Sequence, residues 1–220
     1  GGGEPPRPGA VALSVQEELD RVMPVLEGVC TMGVPVSIDT RRSEVMRAAI
    51  GVGVDIINDV NGFRDPESFE VAVASSCGLC VMHMLGEPQT MQRDPQYQDV
   101  IAQVYGFLLM QEEALVARGV NPARIALDPG IGFGKTFDHN LLLLSESQSL
   151  APKKILLVGV SRKSMIGTIT GHADPRDRGA GSVAAALWAA ARGVQILRVH
   201  DVRQTVDALR VWEALSIRSH

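Results

Sequence analysis

The sequence predicts an α/β fold built on a parallel sheet. Three observations carry the prediction. Apolar runs of about four to seven residues alternate with longer segments of helical period. The runs are rich in Val, Ile and Leu with few internal polar residues, as strands covered on both faces of a parallel sheet are. Polar residues collect where each run ends, and parallel α/β folds bind ligands at the carboxyl ends of their strands.

In order, a Gly/Pro loop with no strand before it leads into a helix over Val15 to Gly28, with Val15, Leu19, Val22, Met23 and Leu26 on one face. The strand Val34 to Asp39 precedes a helix over Ser43 to Ile50, for which Ser43 is the expected N-cap. The strand Asp55 to Val60 precedes a helix over Pro66 to Ser75, and Leu79 to Met84 one over Tyr97 to Arg118. The strand Arg124 to Leu127 precedes a helix over Asn140 to Ser149. The strand Ile155 to Ser161 precedes a helix over Ala180 to Arg192, and the strand Gln195 to His200 precedes the last helix, Val202 to Ile217. Gly119 and Gly193 stand where a left-handed helix cap belongs. This strict alternation implies right-handed crossovers and a parallel sheet. A closed barrel and an open doubly wound sheet both satisfy it, and spacing does not decide between them. In an eight-stranded barrel, about two strands and one helix would be missing ahead of the first helix.

Composition bounds the function. The 220 residues suffice for one domain with a closed core, and 45% hydrophobic with 21% charged residues is ordinary for a globular enzyme. A net charge of −4 argues against a duplex-binding surface, which needs a basic stripe. No uninterrupted apolar run reaches the ~18 residues of a membrane span. The start shows no basic region or apolar segment, so no signal peptide is expected. Three cysteines, Cys30, Cys77 and Cys80, fit a reducing compartment better than a disulfide framework. Cys77 and Cys80 have C-x-x-C spacing, but no second pair completes a zinc site, so buried inert thiols are expected.

The strand ends carry the chemistry. They read Ser37-Ile38-Asp39-Thr40, Asn58-Asp59-Val60-Asn61-Gly62, Met82-His83-Met84, Asp128 to Lys135, Ser161-Arg162-Lys163-Ser164, and Arg198-Val199-His200-Asp201. A single polar strand end is usually a cap or a turn. Capping does not account for Lys163, Arg198 and His200 at successive ends. Those three suit an anion such as phosphate. Asp39, Asn58 and Asp128, with Phe133 as an aromatic wall, suit the edge of a flat nitrogen heterocycle, a pterin or a purine. Gly134-Lys135-Thr136 resembles the end of a P-loop, but Pro129 stands where its first glycine belongs and no long helix clearly opens there.

Taken together these segments resemble the dihydropteroate synthase family. Gly2-Gly3-Glu4-Pro5-Pro6-Arg7-Pro8-Gly9-Ala10 is similar to that family's second-strand loop, G-G-E-S-T-R-P-G-A. The segments at Ser37 to Thr40, Asn58 to Val60, Met82 to Met84, Leu127 to Lys135, Ser161 to Ser164 and Arg198 to Val202 match it in order and spacing. The resemblance implies a (β/α)8 TIM barrel whose first strand, first helix and most of whose second strand are missing from this sequence, with residues 1–220 as a single pterin-binding domain. It implies a transferase of folate biosynthesis, a sulfonamide target. Such an enzyme joins 6-hydroxymethyl-7,8-dihydropterin pyrophosphate to p-aminobenzoate, giving 7,8-dihydropteroate and pyrophosphate. By position, Asp39, Asn58, Met82, Asp128, Gly132, Phe133, Lys163 and Arg198 would bind the pterin. Pro6, Arg7, Pro8, Phe133, Ser161 and Lys163 would bind p-aminobenzoate. Arg7, Asn58, Arg198 and His200 would hold pyrophosphate, and Asp39, Asp128, Lys163, Arg198 and His200 would carry catalysis. Mg²⁺ is implied as cofactor, with its Asn ligand expected before Gly1 and none in this chain. A cytoplasmic homodimer is implied, with no nucleic-acid or membrane partner; the apolar helix segment Val183 to Trp188 is a candidate interface, or else packs on the barrel. Pro5 and Pro6 replace the usual Ser and Thr, which removes a hydroxyl and two backbone donors from that loop. The alternatives are a pterin-binding methyltransferase barrel, an inactive homologue and an unrelated phosphate-binding isomerase.

Overall fold

Six parallel strands hydrogen-bond in sequence order: β1 (Ser37–Asp39), β2 (Ile56–Asp59), β3 (Gly78–Met82), β4 (Ile125–Asp128), β5 (Ile155–Val158) and β6 (Ile196–Leu197). The computed structural model describes residues 13–86, 95–149 and 154–216. Crossovers of one hand, always stepping the same way, put their helices on one side of a sheet. The bare side is then covered by curling, whereas a doubly wound sheet reverses its order at a switch point. The order here never reverses, and the sheet is a curled half-barrel.

The helices are α1 (Val15–Val29), α2 (Ser43–Gly51), α3 (Pro66–Ala74), α4 (Val100–Ala117), α5 (Phe137–Ser145), α6 (Ser164–Thr170), α7 (Gly179–Ala191) and α8 (Val202–Ser216). The main core lies between helices and sheet. Val45, Met46 and Ala49 of α2 and Val104, Leu108 and Leu115 of α4 are buried with Ile57, Leu79, Val81 and Leu127 of the strands. A second, separate cluster of Met82, Met84 and Phe133, with Val60 against it, sits beyond the carboxyl ends of β2 to β4.

Several boundaries differ from expectation, each for a local reason. Ser43 is not the N-cap of α2. Arg42 is, without a side-chain cap bond, and the Ser43 hydroxyl donates to Glu67 Oε2 at 2.9 Å. α4 begins at Val100 because Asp99 caps it, accepting from the Ala102 N–H at 2.9 Å. α5 begins at Phe137, not Asn140, because Thr136 forms a capping box with His139. α6 was not expected; seven residues are too few to show a period. Gly119 and Gly193 do take left-handed conformations, with φ of 91° and 83°. By length and composition α4 is the one described helix able to cross a membrane. Here it packs on β3, β4 and α5 and buries Glu112, whose Oε2 lies 2.6 Å from Lys154 Nζ in an ion pair without hydrogen-bond geometry.

Candidate active site

Asp128 ends β4 with no exposed surface. Its Oδ1 accepts from the Gly130 N–H at 2.7 Å, and its Oδ2 from Arg198 Nη2 at 3.0 Å. Arg198 follows β6 and extends it by donating its N–H to Val158 O at 3.0 Å. Its guanidinium crosses Gly159, where a Cβ would stand 3.0 Å from both Nε and Nη2. Burial opposes its charge, but Asp128 and Asp39 outweigh that and raise its pKa.

Lys163 reaches the same place from the N-cap of α6. Its Nζ donates to Ile131 O at 2.5 Å and lies 4.1 Å from the centroid of the Phe133 ring. A Cβ on Gly132 would meet Lys163 Cδ at 2.9 Å, and Gly132 has φ of 82°, so glycine is required there twice over. Desolvation holds the ammonium down to about 8, against the pull of Asp128.

Asn58, in β2, is 4% exposed, and neither its Oδ1 nor its Nδ2 has a hydrogen-bond partner. The amide neighbours the Asp39 carboxyl without hydrogen-bond geometry. Asp39, ending β1, opens to solvent but is hemmed in by protein. Desolvation raises its pKa, with Arg198 acting the other way and Asp128 adding to the rise. Asp39, Asn58, Asp128, Lys163 and Arg198 therefore meet at one end of the sheet. Asp128 and Lys163 stand on the same side, as their positions at strand ends predict.

The loops after β5 and β6 are tied together. The Ser161 hydroxyl accepts from the His200 N–H at 3.2 Å and lies 3.0 Å from His200 Nδ1. Arg162 donates to Asp201 through Nε at 3.2 Å and Nη2 at 2.7 Å. His200 thus sits beside Ser161 rather than on Asp128. Pro6, Arg7 and Pro8 lie outside the described residues.

Sequence reasoning overlooks two buried ionisable groups here. Asp59 accepts from the Asn61 N–H at 2.8 Å and the Phe63 N–H at 2.9 Å, shaping the turn after β2, and desolvation pushes it up to about 6. Lys135 turns inward. Its Nζ lies 3.0 Å from His83 Nδ1 and donates to Phe133 O at 3.0 Å and His83 O at 3.3 Å. Desolvation brings Lys135 down to about 7 and His83 down to about 3. Gly134-Lys135-Thr136 leads into the nine-residue α5, with Thr136 as its N-cap, and its lysine meets the His83 ring and two carbonyls rather than an anion. Cys77 and Cys80 are buried free thiols, and burial raises both pKa values, which keeps them inert.

The described residues do not build a metal site. No group of three or more His, Cys, Asp or Glu converges among them.

Residues 2–200 match the family model described as pterin binding enzyme. A dihydropteroate synthase of Neisseria meningitidis serogroup C is 50% identical, across 98% of this chain and 78% of that protein. Among solved structures, the Burkholderia cenocepacia dihydropteroate synthase complexed with 7,8-dihydropteroate superposes with a TM-score of 0.89 at 48% identity, across 97% of this chain and 79% of that one. The Yersinia pestis dihydropteroate synthase in complex with a sulfonamide drug superposes at 0.91 with 41% identity, across 98% and 78%.

Proposed function

The chain belongs to the pterin-binding enzyme family, and from that premise we propose that its strand-end cluster performs the dihydropteroate synthase reaction. The enzyme is a transferase that condenses 6-hydroxymethyl-7,8-dihydropterin pyrophosphate with p-aminobenzoate. The observation that carries this reading is the Asn58 amide, buried with a donor and an acceptor both unpartnered. Such a group is costly unless a ligand completes it. A pterin edge offers both complements. Beside it Asp128, Arg198 and Lys163 add an acceptor and two cations.

In this reading Asp39, Asn58, Asp128 and Lys163 hold the pterin, with Met82, Gly132 and Phe133 against its ring. Arg198 and His200 receive the pyrophosphate. The electron-rich pterin stabilises positive charge at its exocyclic carbon, so the carbon–oxygen bond breaks before the amine attacks. Asp39 and Asp128 stabilise that cation, and Arg198 the departing charge. The aniline nitrogen then forms the new bond and loses its proton to solvent, so no strong base is required. Ser161 and Lys163, with Pro6, Arg7 and Pro8, bind p-aminobenzoate. Arg7 also serves the leaving group. Mg²⁺ would supply charge neutralisation to the pyrophosphate, with ligands other than the described residues. Residues 1–220 form part of a single (β/α)8-barrel domain in this reading. The enzyme acts in this reading as a cytoplasmic homodimer.

Steady-state kinetics with each substrate varied in turn tests this. Arg198→Ala should lower turnover by ~100-fold or more, the cost of one well-placed charge contact in the transition state. A variant that raised only the Michaelis constant for p-aminobenzoate would remove Arg198 from the leaving group. Absence of pyrophosphate release by the wild-type protein with both substrates would reject the function.

A further inference from the structure

We propose that Lys135 is a positioning residue for the pterin site, fixing the apolar floor of Met82, Met84 and Phe133 without touching substrate. The inference rests on the pterin reading above. The floor is a hydrophobic cluster of its own, detached from the main core. Its members come from the end of β3 with the loop after it and from the loop after β4, and Lys135 is what joins them. One carbonyl it binds is that of Phe133 itself. Its other partners are the carbonyl and ring of His83, the residue between Met82 and Met84. Three partners use the full donor capacity of an ammonium.

The loops could hardly be closer. A Cβ on Gly130 would fall 2.0 Å from His83 O, and one on Gly134 2.8 Å from Leu85 O. Backbones in such contact bring carbonyls together in a buried place, where they need a donor. Lys135, 4% exposed, supplies it. Behind the knot, Phe107 packs edge-on to the His83 ring at 5.2 Å, and the Tyr97 hydroxyl donates to Gly134 O at 2.9 Å. Phe133 in turn carries Lys163 over its ring. The chain of contact therefore runs from Lys135 through Phe133 to a group assigned to the pterin.

The test compares wild type with Lys135→Met, which keeps length and loses the donors. Calorimetry with 6-hydroxymethylpterin should show binding weakened at least ~10-fold, a change of ~1.4 kcal/mol. The Michaelis constant for p-aminobenzoate should rise by less than pterin binding falls, because p-aminobenzoate shares Phe133 and Lys163 with the pterin but not Met82. Unchanged pterin binding by a folded variant overturns the proposal, and so do equal losses for both substrates, which mark a merely structural lysine. If Lys135→Met does not fold, nitrogen NMR of His83 in the wild type decides. At pH 6 a neutral ring carrying its proton on Nε2, shifted by added 6-hydroxymethylpterin, supports the proposal; an imidazolium, or no shift, overturns it. Wild-type protein that fails to bind 6-hydroxymethylpterin sinks the pterin reading instead, so the two failures are distinct.

Discussion

The two oxygens of Asp128 do different work: one shapes the Gly130 turn, and the other holds Arg198. In Asp128→Asn the amide oxygen can keep the Gly130 bond, but the amide nitrogen then opposes the guanidinium, donor against donor. Pterin binding should weaken by about 2–4 kcal/mol, the cost of a buried charged hydrogen bond left unmade. Calorimetry measures it, and a loss under about threefold would take Asp128 out of the pterin site. Lys163 gives a pH dependence of definite sign. Its folded pKa lies at about 8, below the ordinary lysine value of 10.5, so the cation is complete at lower pH and is lost as pH rises through about 8. Turnover per unit of pterin substrate should therefore fall above about pH 8. A profile flat to pH 10 would show that the charge of Lys163 is not used.

Among elements, the close of β5 is the sharpest test of the packing. Gly159 has no left-handed backbone to protect, so Gly159→Ala changes only the room given to the Arg198 guanidinium. Displacing that group by a fraction of an ångström should cost on the order of 10–100-fold in turnover, with little change in melting temperature. A fully active variant would show that Arg198 has slack. The strands themselves were legible in the sequence, because buried parallel strands announce themselves as unbroken apolar runs, as Ile155 to Val158 does. Their polar ends marked Asp39, Asn58, Asp128, Lys163 and Arg198. Strand order was not legible, since alternation allows barrel and open sheet alike. Neither was Lys135, whose partner His83 lies 52 residues away. Nor can a sequence reveal that the Asn58 amide is left without a partner, because that is a property of everything packed around it.

At the scale of the molecule, α7 turns Ser182 and Ala189 inward and leaves Trp188 47% exposed. Trp188 lines a groove of ≈580 Å³ with Asp138, Leu141, Leu142, Leu144 and Ser145 of α5. If the proposed homodimer forms on this face, Trp188→Glu should shift sedimentation from dimer to monomer while catalysis per active site persists. A wild type already monomeric at micromolar concentration would refute the dimer. The unreversed strand order has a consequence for how the chain is made. Among the described residues, each strand after β1 pairs with the one synthesised just before it. Each of these five pairings spans a single crossover, so the entropy cost of joining the ends is met in small steps. A nascent chain can therefore extend its sheet one strand at a time as it leaves the ribosome, each new strand covering the edge its predecessor exposed.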